Sequence, residues 1–232
     1  MTISGACLST RGMRPLKPDA MSSPLPALSF CVIQDTAVFL DLAGDRYFRL
    51  PDGANAAFVA GLVNGVAFAA RMQAVGLEEF SVHAPVRETA DTFSPREALD
   101  TRASRDTPWL SFRALYEQRI AERHLARRGL HRVLSDLKQA LCRPDRTTPF
   151  DKTAAAIVRA FERAALFRSA VDRCLPRSIA LARLLARSGY RCEVVLAVKL
   201  RPFAAHAWVQ AGPLVLNESV EEAARYTPIL IL

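Results

Sequence analysis

The stretch that decides the fold of the second half of the chain is VDRCLPRSIALARLLARSGYRCEVVLAVKLRPFAAHAWVQAGPLVLNES, residues 171–219. Its first third is typical of a helix. Asp172 is suited to cap the N-terminus, Pro176 is tolerated in the first turns, and Gly189 is a typical C-terminal stop. We therefore expect a helix that begins close to Cys174.

Strands are predicted after this helix. Residues 191–200 form an apolar run that is typical of a buried strand. Residues 204–212 and 213–219 are rich in apolar residues and meet at a Gly-Pro pair, which predicts a hairpin. In such a hairpin His206 and Glu218 lie on neighbouring strands and can contact each other.

A nucleophile, a base and an acid follow one another along these elements. Cys174 lies at a helix N-terminus, where the dipole and the backbone N–H groups favour a thiolate and can bind an oxyanion. His206 is then the candidate base, and Glu218 is the candidate acid that orients it. The alternative interpretation is a buried structural cysteine and a hydrogen-bonded core histidine. A zinc site that adds Cys192 has no close-spaced ligand pair, so no metal site is expected.

Three segments of this half resemble one family of enzymes. The segments CLPRSIALARLLARSGY, VVLAVKLRPFAAHAWVQ and LVLNES resemble, in this order, the B proteins of lasso-peptide biosynthesis. Those proteins are transglutaminase-like, papain-related cysteine peptidases. The resemblance implies that Cys174 is the nucleophile, His206 the base and Glu218 the third member of the triad. Glu218 stands where the family has Asp, which keeps the charge and adds one methylene.

The resemblance also implies a substrate and a partner. The B proteins remove the leader from a ribosomally made precursor peptide, and the core peptide goes to an ATP-using, asparagine-synthetase-like cyclase. This sequence has no phosphate-binding loop of the G-x-x-x-x-G-K-S/T type, so we expect no cofactor in the chain and any ATP dependence to act through the cyclase. Two alternative functions remain open: a non-catalytic leader-binding scaffold, and an acyl transferase with the same triad.

The first half of the chain has the pattern of a small sheet followed by a helix. Short runs separated by turn residues predict three strands, at Phe30–Ile33, Ala37–Asp41 and Arg46–Arg49. A helix is expected next, over about Ala54–Leu62. Such a unit is too short for an enzyme cleft of its own, but an open edge of its sheet can accept a peptide strand.

The segment AVFLDLAGDRYFRLPDGANAAF resembles a second family. It is similar to the small winged-helix module that recognises leader peptides in many modified-peptide pathways, like the pyrroloquinoline-quinone chaperone. The resemblance implies that the leader joins the sheet edge as an extra strand. The residues expected to bind the leader are Val38, Phe39, Leu40, Tyr47 and Phe48. The alternative is a small domain that only covers the peptidase.

These patterns divide the chain into four parts and predict an α+β fold. Residues 1–27 hold four prolines and are expected to be a disordered arm. Residues 28–83 are the predicted winged-helix-like module, with a three-stranded sheet and helices. Residues 84–108 are polar and broken by prolines, which predicts a linker. Residues 109–232 are the predicted papain- or transglutaminase-like domain. Three helices are expected there, over 109–127, 130–141 and 152–169.

Composition limits the compartment and the classes of partner. The 232 residues carry a formal net charge of +8, which is unevenly distributed. Residues 1–100 contain 8 Lys/Arg and 11 Asp/Glu, whereas residues 101–232 contain 23 Lys/Arg and 12 Asp/Glu. The arginines of the second half fall at helical spacing with few aromatics, which favours a solvated helix face over a nucleic-acid surface. No apolar run reaches membrane-spanning length, no signal peptide is recognised, and the five cysteines contain no CxxC pair. We expect a cytoplasmic protein without a membrane or nucleic-acid partner.

Overall fold

The computed structural model describes residues 24–77, 94–102, 107–142, 150–166 and 173–232. The elements of the first half are β1 (Leu28–Ile33), β2 (Thr36–Asp41), β3 (Arg46–Arg49), α1 (Asp52–Val63) and α2 (Phe68–Ala74). Those that follow are β4 (Glu97–Ala98), α3 (Pro108–Arg128), α4 (Leu130–Leu141), α5 (Lys152–Leu166), α6 (Cys174–Arg187), β5 (Glu193–Leu200), β6 (Phe203–Ala211), β7 (Leu214–Val215), α7 (Val220–Ala223) and β8 (Thr227–Ile231).

The first sheet is antiparallel, with the strand order β1-β2-β3. The turn between β1 and β2 contains Gln34 in the left-handed region, at a φ of 44°. In the next turn the Asp41 carboxylate accepts hydrogen bonds from the backbone N–H groups of Ala43 (3.1 Å) and Gly44 (2.8 Å). The three predicted strands and the helix after them are confirmed, because short strands with polar turns leave strong local signals.

Both faces of this sheet are covered. Side chains alternate between the faces, so Phe30 and Phe39 point to one side, where their rings lie 5.3 and 5.4 Å from the ring of Phe58 on α1. Val38 and Leu40 point to the other side and are fully buried in the core that also contains α3–α6 and the second sheet. The sheet is therefore packed between its own helices and the second half of the chain.

The helices of the second half follow the predicted bounds closely. Helix α3 ends at Gly129, which has a φ of 74°, and α4 covers 130–141 as predicted. Helix α5 begins after Asp151, whose carboxylate accepts hydrogen bonds from the N–H groups of Thr153 and Ala154 at 2.9 and 3.0 Å. The predicted end of this helix, at residues 167–169, lies outside the described residues.

The second sheet has the strand order β4-β7-β6-β5-β8. Strands β5 and β6 form its long antiparallel pair, from Glu193↔Gln210 to Leu200↔Phe203. Helix α6 packs on β6, and the Ser178 hydroxyl donates a hydrogen bond of 3.0 Å to the Ala207 carbonyl. This packing places the N-terminus of α6 beside the start of β6.

Two edge strands of this sheet were not expected from the sequence. Strand β4 comes from the predicted linker and pairs in parallel with β7, so residues 97–98 lie in the sheet. Strand β8 pairs with β5, and its Ile229 carbonyl accepts a hydrogen bond from the Ser29 hydroxyl of β1. The two sheets therefore meet at β1 and β8. Linker residues 84–93 and 103–106 lie outside the described part of the chain.

The described end of the predicted arm is packed against the protein. Leu25 is buried, and its carbonyl lies 3.3 Å from Nε2 of His131 on α4. Residues 1–23 of the arm lie outside the described residues. Within the described ranges, no helix has both the length and the apolar character needed to cross a membrane.

Candidate active site

Cys174 is the first residue of α6 and is half-buried. Its position exposes the thiol to the unpaired backbone N–H groups and the positive end of the dipole of a 14-residue helix. Pro176 lies in the first turn of this helix, as predicted. Asp172, the predicted cap, lies outside the described residues.

His206 and Glu218 lie next to each other, as the predicted hairpin requires. Nε2 of His206, on β6, is 2.8 Å from Oε2 of Glu218, which follows β7. About a fifth of each side chain is exposed, 17% for His206 and 21% for Glu218. The second oxygen of the carboxylate, Oε1, accepts a hydrogen bond of 2.9 Å from the N–H of Ser219. Both oxygens are thus occupied, which fixes the orientation of the acid and of the imidazole that it holds.

Cys174 and His206 interact directly and change each other's protonation. Burial opposes ionisation of the thiol, but the hydrogen bond to His206, the charge of His206 and the backbone groups of Ala207 and Leu175 outweigh it and lower the pKa of Cys174. Burial likewise opposes protonation of His206, but its hydrogen bonds to Cys174 and Glu218 raise its pKa to about 9. The lowered pKa of the thiol and the raised pKa of the imidazole both favour the thiolate–imidazolium form of the pair.

Glu218 completes the electrostatics of the site. Burial tends to raise the pKa of its carboxyl, but the hydrogen bond to His206, the N–H of Ser219 and the charges of His206 and Arg177 lower it. Glu218 is therefore ionised at neutral pH and stabilises the positive imidazole. Since Glu218 engages Nε2 of the ring, Nδ1 is the nitrogen left for the Cys174 sulfur.

A buried polar network holds the segment that carries Glu218. The side chain of Asn217 accepts a hydrogen bond of 2.7 Å from the N–H of Val209 and donates one of 3.2 Å to the Ser178 hydroxyl. Arg177 donates a hydrogen bond of 2.6 Å to the Asn217 carbonyl. The Asn217 side chain takes the place of a strand partner, which explains why β7 is shorter than the predicted strand 213–219. Arg177 thus contacts the backbone beside the acid.

The match to a protein-family model agrees with this geometry. The model describes the transglutaminase-like superfamily, and it matches residues 118–231, which hold the cysteine, the histidine and the acid. Residues 118–231 are a transglutaminase-like superfamily domain. The superfamily includes cysteine peptidases and acyltransferases, and this domain is compatible with either role. No curated protein and no solved structure gives a significant match to the chain.

Two aromatic rings flank the imidazole of the transglutaminase-like domain. The ring centroid of His206 lies 6.0 Å from that of Trp208 and 5.2 Å from that of Tyr226. Trp208 is buried and donates a hydrogen bond of 2.6 Å from its indole nitrogen to the Gln210 side chain. These rings limit the access of water to one side of the histidine. Tyr226 was missed by the sequence reasoning, because residues 220–232 have no pattern that points to the site.

The predicted leader-binding residues fall into two groups. Val38, Phe39 and Leu40 are fully buried inside the protein. Tyr47 and Phe48 are partly exposed and line a groove of about 720 Å³ beside β3, together with residues of the β3–α1 connection, α1 and the β5–β6 hairpin. The groove borders the sheet edge at which an added strand was expected.

Two further cysteines lie in the core, and one of them, Cys192, belongs to the zinc site that was not expected. Cys192 is buried, its sulfur lies 4.0 Å from the Ala182 carbonyl, and burial raises its pKa far above that of an ordinary thiol. Burial also raises the pKa of Cys31, to about 12. Among the described residues, no group of three or more His, Cys, Asp or Glu side chains has a geometry that could hold a metal ion.

Proposed function

We propose that the chain is a cytoplasmic cysteine peptidase that removes the leader from a ribosomally made lasso-peptide precursor. The observation that carries this proposal is the arrangement of Cys174 at the N-terminus of α6, where its thiol interacts with His206, together with the 2.8 Å contact by which Glu218 holds the imidazole. This is the set of groups that thiol catalysis of acyl transfer requires. The substrate class comes from the resemblance of the segments around these residues to the lasso-peptide B proteins.

The chemistry follows from the protonation states of the pair. The Cys174 thiolate attacks the carbonyl carbon of the last leader residue, and the His206 imidazolium gives its proton to the leaving nitrogen as the C–N bond breaks. The core peptide leaves with a free amine, while the leader stays on the sulfur as a thioester. Neutral His206 then takes a proton from water, which attacks the thioester and releases the leader with a carboxylate. Glu218 stabilises the imidazolium in both steps.

The groove along β3 is the proposed site for the leader. The main chain of β3 lies at the edge of a three-stranded sheet, so an extended peptide can form backbone hydrogen bonds with it. Tyr47 and Phe48 line the groove, are partly exposed and are the predicted binding residues that a peptide can contact there. Because Val38, Phe39 and Leu40 are buried, their part in leader binding is to hold the sheet that presents this edge.

A partner cyclase is the second element of the proposal. The peptidase reaction leaves a free amine at the start of the core peptide, and an ATP-using, asparagine-synthetase-like cyclase would join that amine to a side-chain carboxylate. The resemblance to the B proteins supports this partner. ATP would then be bound by the cyclase and not by this chain.

Acyl transfer is the second candidate, because the thioester on Cys174 can react with an amine instead of water. Residues 118–231 belong to a superfamily that includes both peptidases and acyltransferases, and this supports acyl transfer as the second candidate. The two reactions differ in the new end of the leader, which is a carboxylate after hydrolysis and an amide after transfer.

The experiment that tests the proposal follows both ends of the cut bond. The purified chain is incubated with the precursor encoded beside its gene, with and without the cyclase and ATP, and again with excess methylamine. Mass spectrometry is expected to show core peptide with a free amine and leader with a carboxylate. Leader found only as an amide of the added amine would establish the transferase instead. An intact precursor under all conditions, with leader binding retained, would establish a binding scaffold.

A further inference from the structure

Helix α3 carries three aromatic side chains on its exposed face. Trp109, Phe112 and Tyr116 are 71%, 68% and 63% exposed. Their spacing of three and four residues places them on one side of the helix, over its first turns. A whole aromatic side chain has about 150–250 Å² of surface, so these three present about 300–500 Å² together. This is as large as the largest apolar patch of a typical soluble monomer, and such patches are often binding surfaces.

Arginines continue the same side of the helix towards its C-terminus. Four exposed arginines fall there at helical spacing: Arg113, Arg119, Arg123 and Arg127. Arg119 lies 3.8 Å from Glu122, whereas the other three have no ion-pair partner within the described residues. The two acids of α3 lie off this side, because Glu117 is buried and Glu122 is half-buried. We call the three aromatics and four arginines the aromatic–arginine stripe.

The side of α3 opposite to the stripe holds the helix in the domain. Glu117 and Gln118 are buried on that side, and the Glu117 carboxylate accepts a hydrogen bond of 2.8 Å from Arg187, the last residue of α6. Cys174 is the first residue of the same helix, about 20 Å away along its axis. A partner seated on the aromatics therefore leaves the site around Cys174 open to a substrate.

The composition of the stripe indicates the chemistry of its partner. Trp, Tyr and Arg are the residues that most often carry the binding energy of protein–protein interfaces. Unpaired arginines around the aromatics call for carboxylates on the other surface, because charge complementarity speeds association and excludes wrong partners. A second copy of this chain would bring eight arginines of the two stripes together without acids between them. An acidic protein surface therefore fits the stripe better than a second copy does.

We propose that the aromatic–arginine stripe is the docking surface for a partner protein that offers an apolar pocket edged by Asp and Glu side chains. The aromatic rings fill the pocket, and the carboxylates pair with the arginines. The cyclase of the proposed function is the partner, because it receives the core peptide from this chain. The identity of the partner thus rests on the proposed function. Docking on α3 holds the cyclase beside the peptidase domain without covering Cys174.

The test measures binding of the full chain to the purified cyclase encoded beside its gene, by surface plasmon resonance at several salt concentrations. We expect Trp109→Ala to raise the Kd about 30-fold, as the loss of a central aromatic anchor does. Arg113→Glu should slow association about tenfold at low salt. This difference should shrink as the salt concentration rises, since salt screens the attraction between exposed charges.

Two controls change similar groups away from the stripe. Val63→Ala removes an exposed apolar side chain of α1, and Arg132→Glu reverses the charge of an exposed arginine of α4. Both controls are expected to bind the cyclase like the wild type. The rate at which iodoacetamide alkylates Cys174 is expected to stay the same in all four variants, which shows that the domain remains folded.

Three outcomes would overturn the inference. The first is equal affinity of Trp109→Ala and the wild type for the cyclase, or no binding by either. The second is an equal loss for Arg113→Glu and Arg132→Glu, which would indicate a general attraction to a basic chain. The third is a dimer of the wild type that Trp109→Ala dissociates in analytical ultracentrifugation, without cyclase binding, which would assign the stripe to a second copy. A precursor left intact by the wild type and the cyclase would instead refute the proposed function, because the binding measurement does not depend on cleavage.

Discussion

The imidazole of His206 and the carboxylate of Glu218 are 2.8 Å apart, although β6, which carries His206, and β7, which precedes Glu218, are paired over only two residue pairs. The contact depends on the chain between β7 and α7. There the Leu216 N–H donates to the Val209 carbonyl at 2.9 Å, and the Asn217 side chain accepts from the Val209 N–H at 2.7 Å. A side chain therefore continues the strand pairing up to the acid.

The reactivity of Cys174 is expected to depend on pH as a thiolate–imidazolium pair. Because its pKa is lowered, Cys174 should react with iodoacetamide at a lower pH than an ordinary thiol does. In His206→Ala the imidazole no longer offsets the effect of burial on the thiol, so the pKa of Cys174 should rise. The alkylation rate of Cys174 at pH 7 should then fall at least about tenfold. Peptide mapping by mass spectrometry measures the rate at Cys174. Coincident pH profiles for the two proteins would show that His206 does not ionise the thiol.

The upper limit of activity is set by His206. Its pKa is raised to about 9, so the imidazolium is present below this pH and is lost above it. Peptide cleavage should therefore decline as the pH rises through about 9, since neutral His206 has no proton for the leaving nitrogen. The measurement is kcat/KM for precursor cleavage against pH. A profile that is flat through pH 9 would contradict the role of His206 as the acid.

Glu218 should matter less to cleavage than His206. Glu218→Gln keeps a hydrogen-bonding side chain but replaces a charge-assisted hydrogen bond to His206 by a neutral one. The weaker bond should cost about 1–2 kcal/mol of transition-state stabilisation, which corresponds to a roughly tenfold lower kcat/KM. His206→Ala removes the acid and base itself, which is typically a loss of about 10²–10⁴-fold. Steady-state kinetics on both variants tests the order. Equal losses would show that Glu218 does more than orient and stabilise the ring.

Asn217 is expected to be a positioning residue that also supports the fold. Asn217→Ala leaves the N–H of Val209 without its acceptor in the interior and removes a bond to Ser178, which should cost about 2–4 kcal/mol of unfolding free energy. Urea denaturation measures this loss. Ser219→Ala is the neighbouring control, because it removes an exposed helix cap worth about 1 kcal/mol. A loss for Asn217→Ala no larger than for Ser219→Ala would refute the structural importance of the network.

How far the sequence predicts the site depends on how local each signal is. The helix at 130–141 and the turn at Gly212 follow from neighbouring residues, and the order of Cys174, His206 and Glu218 follows from the pattern of one helix and one hairpin. The two-residue β4 and the edge strand β8 leave little local pattern, because backbone pairing with distant strands defines them. The packing of Tyr47 on Phe203 is a contact between segments more than a hundred residues apart, which no periodicity encodes.

Cys174 is the nucleophile on which the proposed release of the leader depends. The most direct measurement is mass spectrometry of the precursor after incubation with the wild type, with Cys174→Ala or with Cys142→Ala. Cys142→Ala is the control, because it removes a different thiol, at the end of α4. We expect leader-sized fragments from the wild type and from Cys142→Ala, and an intact precursor with Cys174→Ala. Cleavage by Cys174→Ala at the wild-type rate would contradict the account.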